Sequence, residues 1–379
     1  MKSVGVHIAL DATYSIGDVL SGVGLYSHEI LNGLAAAHPE ARFDFCYRPH
    51  RYPRARQLAL PPNARRRLLL EPLVPRGADL FHGLNQRLPR LPNRRAIATF
   101  HDLFVMTGEY ATPEFRARFT AQARDAAARA DAIIAVSEFT RDQVISLLGV
   151  EPARVHVVHH GIRQFPQSAA ATAREPIILN VGAIQKRKNI ARLVEAFEGL
   201  HGNSRDANRG DANSLDADWG GANPRDADWR AADWRLVLAG SNGYGAEQIL
   251  ARIANSPARQ RILVTGYVSP QELAGWYARG SIFAFPSLDE GFGMPVLEAM
   301  AAGVPVVTSR YSALPEVAGG AALLVDPADT EALCQSLLSL TVDVDLRQEL
   351  TRRGFERART FTWGKAVRET WDVYRKILG

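Results

Sequence analysis

Short apolar, β-branched runs alternate along this chain with longer stretches whose apolar residues recur at helical spacing. Such alternation marks βαβ units and a parallel sheet, because strands covered on both faces read as unbroken apolar runs while crossover helices read as amphipathic. In the first half it predicts strands at Val4–Ala9, Arg42–Tyr47, Asp79–His82, Ala96–Phe100, Ala132–Val136 and Val155–Val158. Helices are expected at Gly24–Ala37, Pro113–Ala130 and Glu138–Leu148. The second helix places Phe115, Phe119, Ala123 and Ala126 on one face. The segment Gly161–Pro176, rich in Ala, Gln, Ser and Thr, reads as a connector, with the linker proper at 166–176. A second set of strands follows at Ile177–Val181, Leu236–Ala239, Ile262–Thr265, Ile282–Phe285, Val304–Thr308 and Ala322–Val325. The expectation is an α/β chain of two domains, 1–165 and 177–360, with a ligand cleft between them.

One stretch breaks the pattern. Residues 202–234 carry a degenerate repeat, from Asp206-Ala-Asn through Asp216-Ala-Asp-Trp219 and Asp226-Ala-Asp-Trp229 to Ala232-Asp-Trp234. Its short, drifting period falls well below that of structural solenoids, so it is expected to be a mobile surface insertion without a catalytic role.

Composition narrows the class. With 379 residues, 46% hydrophobic and 22% charged, the chain reads as an ordinary globular protein of about two domains. No run approaches the ~18 apolar residues of a membrane span, and Val4–Leu10, interrupted by His7, reads as a strand and not as a signal peptide. A cytoplasmic location is expected. Cys46 and Cys334 supply neither a disulfide framework nor a zinc site and should be buried thiols. The net charge of +5 permits anionic partners without choosing among them. Lys2, Lys186, Lys188, Lys365 and Lys376 are the only lysines among 45 basic residues, which makes the pair Lys186 and Lys188 stand out.

Four places could carry chemistry. In Ser287-Leu-Asp-Glu-Gly-Phe-Gly-Met-Pro-Val-Leu-Glu298, a buried strand gives way to a glycine turn and then to a helix opened by Pro295. Gly291 and Gly293 would let a ligand approach the backbone, and the helix N-terminus would offer N–H groups. Glu290 and Glu298 could accept paired hydrogen bonds from the vicinal hydroxyls of a sugar and a ribose. Solvated glutamates are the plain alternative. Second, Val181-Gly-Ala-Ile-Gln-Lys-Arg-Lys-Asn189 sets three cations at a strand–helix junction, where Lys and Arg could meet phosphates and Asn189 could cap the next helix. A solvated basic turn would look the same. Third, the turn around Gly22 and Gly24 follows the first strand but lacks both the dinucleotide glycine pattern and a phosphate-loop lysine. Fourth, His101-Asp102 follows a strand at its carboxyl end, where ligands bind in open α/β sheets. His101 could donate to a phosphate or a sugar, or shuttle a proton. The pair His159-His160 lacks a third metal ligand at usable spacing and reads as structural.

Together and in this order, these motifs resemble the retaining glycosyltransferases of family 4, which have the GT-B fold of two Rossmann-like domains facing a cleft. The resemblance spans the chain except residues 202–234. It rests on Glu290 and Glu298 at E-x7-E spacing, Gly266-Tyr-Val-Ser, Pro286-Ser287, Leu297-Glu-Ala-Met300, Leu314-Pro-Glu-Val317, Gly22-Val-Gly24, His101-Asp102 and Val136-Ser-Glu-Phe139. Arg187-Lys-Asn189 is similar to a bacterial subgroup that builds surface polysaccharides and includes mannosyltransferases.

The resemblance implies catalytic roles for Glu290, His101, Lys188 and Arg187. Glu298 would hold the donor ribose, while Glu290 and the amides of Gly291, Phe292, Gly293 and Met294 would hold the transferred sugar. Gly182, Gly22 and Gly24 would complete the donor site. Arg187 and Lys188 would neutralise the leaving diphosphate in place of a metal, so neither a metal nor a cofactor is expected. The acceptor would attack from the leaving-group face, and residues 361–379 would form a last helix crossing back to the first domain. Ala183 and Arg163 depart from the family pattern, which expects Arg and Asp there.

The donor implied is GDP-mannose first, with a UDP-hexose close behind, and the acceptor a glycan or lipid-linked glycan. The arginine-rich stretch Arg48–Arg67 could rest on anionic membrane, or be a solvated loop. A phosphorylase, a nucleotide-sugar epimerase and a non-catalytic scaffold remain as other readings. Nucleic acid is not expected, because the basic residues lie in loops with few aromatics beside them.

Overall fold

A computed structural model describes residues 5–17, 20–70, 77–90, 95–163, 174–206 and 233–379. Its contacts divide the chain into two compact units, one of Met1–Ile162 with Phe361–Gly379 and one of Arg163–Thr360.

The first unit is a seven-stranded parallel sheet of β1 (His7–Asp11), β2 (Arg42–Tyr47), β3 (Ala64–Leu68), β4 (Leu80–Gly83), β5 (Arg95–Phe100), β6 (Ala132–Ala135) and β7 (Val155–Val157). The spatial order is β3-β2-β1-β4-β5-β6-β7. Strand alternation sends Ile8 and Leu10 to one face and Ala9 to the other. The first face is covered by helices Gly22–Ala37 and Trp363–Leu378, through Tyr26, Ile30, Leu34, Val367, Val373 and Tyr374. The other carries helices Pro113–Arg129 and Glu138–Leu148, through Phe119, Ala123, Ala126 and Val144. Thr112 and Ser137 begin these two helices by accepting Phe115 N–H and Thr140 N–H. Tyr374 of the C-terminal helix is hydrogen-bonded to Nδ1 of His82 at 2.6 Å, and Trp371 stacks on His38 with ring centres 3.7 Å apart.

Among the described residues the second unit has six parallel strands, β8 (Glu175–Val181), β9 (Arg235–Ala239), β10 (Ile262–Gly266), β11 (Gly280–Phe285), β12 (Val306–Ser309) and β13 (Leu323–Val325), ordered β10-β9-β8-β11-β12-β13. In each sheet the chain winds outward from its first strand to the third, then returns to lay the fourth against the other side of the first. That reversal is the point where doubly wound sheets bind ligands, outside the carboxyl ends of the strands.

Three expectations need correction. The stretch Arg48–Arg67 is not one loop: it contains a helical turn, Tyr52–Ala55, and most of the edge strand β3. Arg67 pairs with the buried Asp44 at 3.3 Å and Arg66 donates to the Leu58 carbonyl. Arginines at a sheet edge discourage pairing with another chain, which hides the strand from a search for apolar runs. The linker 166–176 falls largely outside the described residues, but Glu175 and Pro176 already belong to β8, and Arg174 donates to the carbonyls of Tyr277, Gly280 and Ala302. The repeat at 202–234 also lies mostly outside the described residues. Its last tryptophan does not, because Trp234 is 8% exposed within the core of the second unit and Asp233 pairs with Arg261. Cys46 and Cys334 are free and buried, as expected.

Candidate active site

The chain after β8 turns at Gly182, whose φ of +146° favours glycine, and then closes a single 3-10 turn at Lys186–Lys188. That turn sends Lys186 outward and buries Arg187 and Lys188, each 8% exposed. Asn189 does not spend its side-chain amide on a cap. Its φ is +57°, and its Nδ2 donates to the carbonyls of Pro286 and Pro327, tying this turn to the loops after β11 and β13.

The loop after β11 brings up the opposite charge. Glu290 accepts from Lys188 Nζ at 2.5 Å and from Arg187 Nη1 at 2.9 Å. Arg187 also donates to the Asp289 carbonyl, and its own carbonyl accepts from Leu288 N–H at 2.8 Å. Lys188 Nζ sits 4.5 Å from the centre of the Phe285 ring, and the alkyl end of Lys188 packs over Gly182. Burial alone would push the Glu290 carboxyl upward. The two cations outweigh it and hold the group down at about 2. Thus Arg187, Lys188, Glu290 and Gly182 meet at the reversal between β8 and β11.

Past Glu290, the buried residues Gly291, Phe292 and Gly293 lead to the helix Met294–Ala301, with Met294 half-buried. Gly293 has φ +108°, and a Cβ there would stand 2.7 Å from Leu314 Cδ2. The helix start offers fewer N–H groups than expected, since Pro295 has none and Val296 N–H is bonded to the Gly293 carbonyl. Glu298 lies inside this helix, 7% exposed, and accepts from the Tyr277 hydroxyl at 3.1 Å. Burial raises its carboxyl above the ordinary range, with the charge of Arg163 pulling the other way. Tyr277, a partner that sequence reasoning missed, comes from the helix Pro270–Arg279, where no pattern distinguishes it from a core tyrosine.

His101, Gly22 and Gly24 belong to the first unit. Gly22 opens its helix, Gly24 N–H donates to the Ser21 cap at 3.2 Å, and a Cβ on Gly24 would lie 2.9 Å from the Tyr14 carbonyl oxygen. His101 is buried beyond β5. Its Nε2 donates to the Leu84 carbonyl at 2.9 Å, and its Nδ1 faces His160 Nε2 at 3.4 Å. Burial lowers His101 to about 4 and His160 well below the usual imidazole range, so both rings are neutral at physiological pH. A ring titrating near 4 is a weak proton acceptor at neutral pH. His160 is enclosed by His101, Tyr26 and Trp363. Among the described residues no three of His, Cys, Asp and Glu gather as a metal site, and no helix is long and apolar enough to cross a membrane.

Two family descriptions cover the chain. Glycosyltransferase Family 4 matches residues 21–163, and Glycosyl transferases group 1 matches residues 162–357, more than half of the sequence. The chain belongs to the group 1 glycosyl transferases. O-antigen chain mannosyltransferase B of Escherichia coli is 30% identical to this glycosyltransferase over 311 residues, covering 79% of this chain and 74% of that one. The serotype-specific mannosyltransferase WbdA of Escherichia coli is 26% identical over 265 residues, 66% of this chain but only 29% of WbdA. Among solved structures, sucrose-phosphate synthase from Thermosynechococcus elongatus superposes with a TM-score of 0.72 at 22% identity over 98% of each chain. Anabaena HepE, solved with UDP and glucose, gives 0.68 at 15% identity over 97% of this chain and 99% of that one. The glycosyltransferase therefore has the GT-B fold, and the family expected from its motifs is the family found.

Proposed function

We propose that this glycosyltransferase is a retaining hexosyltransferase that moves mannose from GDP-mannose to a glycan or lipid-linked glycan in cell-surface polysaccharide synthesis. The observation that carries the reading is the Arg187–Glu290–Lys188 cluster at the strand-order reversal of the second unit. An incoming diphosphate competes with Glu290 for both cations, which releases the carboxylate toward sugar hydroxyls. Negative charge grows on the diphosphate as the anomeric bond breaks, and Arg187 and Lys188 stabilise it without a metal ion. Glu298, oriented by Tyr277, accepts from the ribose diol. The departing phosphate takes the proton of the acceptor hydroxyl, while neutral His101, its Nε2–H given to the Leu84 carbonyl, accepts a hydrogen bond from a sugar hydroxyl through Nδ1 and takes no proton. Similarity to two mannosyltransferases supports mannose; the likeness to HepE with UDP and glucose favours a UDP-hexose as the second reading. The exposed Arg54, Arg56 and Arg65 of the stretch Arg48–Arg67 support peripheral contact with the inner face of the membrane.

The test is a calorimetric titration of GDP, UDP, GDP-mannose and UDP-glucose into the wild type and Glu298→Ala, in buffer with chelator. Binding selective for guanosine and lost in the variant upholds the first reading, and selectivity for uridine the second. Binding only after a divalent metal is added overturns the metal-free assignment. Wild-type binding to none of the four overturns both donors.

A further inference from the structure

The first unit carries an open surface groove of about 390 Å³ that has no part in the chemistry above. It lies between the short helix Phe104–Thr107, which begins three residues beyond His101, and the long helix Pro113–Arg129. It therefore stands on the carboxyl side of β5, the side of an α/β sheet that takes ligands. Ala117, Ala121 and Arg124 along it are exposed, so a ligand there would lie against the surface.

Its two walls differ in chemistry. Val105 and Met106 form an apolar side. The long helix supplies Arg116, Thr120 and Arg124, four residues apart and so aligned along one face, with the small Ala117 beside them. Among the described residues no carboxylate lines the groove. The other arginines of this helix are engaged: Arg118 covers the Phe115 ring, while Arg129 pairs with Asp125 and donates to the carbonyls of Leu88 and Pro89. Among the described residues, the guanidiniums of Arg116 and Arg124 have no hydrogen-bond or ion-pair partner. Their backbone positions lie about 12 Å apart along the helix axis at 1.5 Å per residue, with Thr120 midway. Two long side chains can close over a phosphate or diphosphate at Thr120 from both ends, each guanidinium giving a paired set of donors.

We propose that this groove anchors the acceptor, through a phosphate or diphosphate ester held by Arg116, Thr120 and Arg124, with the attached apolar chain against Val105 and Met106. The inference rests on the glycosyl-transfer reading and names the chemistry of its second substrate.

The probe is octyl phosphate below its micelle concentration, titrated beside inorganic phosphate and octanol into the wild type and Arg116→Gln/Arg124→Gln. Neither arginine is buried, so the fold is expected to be retained. Octyl phosphate should bind at least tenfold tighter than either fragment, and the double variant should lose at least tenfold in that affinity with nucleotide binding unchanged. With a lipid-linked acceptor, its acceptor KM should rise while its donor KM holds. Equal octyl phosphate affinity in both proteins overturns the proposal, as does octyl phosphate binding no tighter than inorganic phosphate. Sedimentation with phosphatidylglycerol vesicles is the third arm. If the variant loses vesicle binding while monomeric octyl phosphate binds both proteins alike, the arginines serve a membrane surface and the acceptor assignment fails. Loss of wild-type nucleotide binding with octyl phosphate binding intact overturns the donor reading instead.

Discussion

Replacing Glu290 with glutamine tests whether the Arg187–Lys188 turn is held in place by charge. The carboxyl is held at about 2 against an ordinary 4.5, so its ionised form is favoured in the folded chain. At ~1.4 kcal/mol per tenfold, that preference amounts to about 3 kcal/mol at neutral pH. Removing one partner of a buried ion pair costs a similar ~3–5 kcal/mol, because the cations left behind stay out of water. The sign of the pH dependence follows from the lowered carboxyl: the stabilisation is complete above 4.5 and is lost as pH falls toward 2. Urea unfolding of wild type and Glu290→Gln should therefore differ by about 3 kcal/mol at pH 7 and by less than half of that at pH 3. A difference of the same size at both pH values would refute the electrostatic reasoning and leave Glu290 as an ordinary packed side chain.

Glu298→Gln should act in the opposite direction on stability. Its carboxyl is raised, so ionisation costs the folded chain stability as pH rises above 4.5; thermal unfolding should show a gain at pH 7 that disappears by pH 4, accompanied by weaker nucleotide binding in calorimetry. In the wild type, nucleotide affinity should fall on acidification at a higher pH than an ordinary glutamate would give. Gly293→Ala sets a Cβ 2.7 Å from Leu314 Cδ2 on a backbone with φ +108°, and should lower stability by ~1–3 kcal/mol in a urea titration. Tyr374→Phe deprives buried His82 of its 2.6 Å partner and should cost ~1–3 kcal/mol, with faster amide exchange confined to the first unit.

Elements defined by what they bury were legible in the sequence. Arg42–Tyr47 and Glu138–Leu148 lie where the apolar pattern sets them, since an unbroken run or a helical stripe must face a core. The edge strand Ala64–Leu68 was not legible, because one flank is open to solvent and three consecutive arginines replace the apolar run. The candidate site was legible as residue types near strand ends, and the pairing of Glu290 with both cations was not. Residues 102 positions apart meet only because the sheet reverses its order between β8 and β11. Tyr277 on Glu298 and His160 on His101 were missed for the same reason: each is a contact across packed elements with no local signature.

The return of Phe361–Gly379 to the first unit has a consequence for how the protein is made. The second unit is continuous in sequence, whereas the first encloses it and lacks one of its covering helices until the ribosome has passed residue 378. At ~5–20 residues per second, translating Arg163–Thr360 takes roughly 10–40 s. Through that interval the apolar face of Gly22–Ala37 that meets Val367 and Tyr374, and the ring of His38 that meets Trp371, wait uncovered. The part of the chain synthesised first is thus the last to finish folding. A nascent chain stalled before residue 361 would hold a complete second unit beside an open first one, a natural client for chaperones that bind exposed apolar surface.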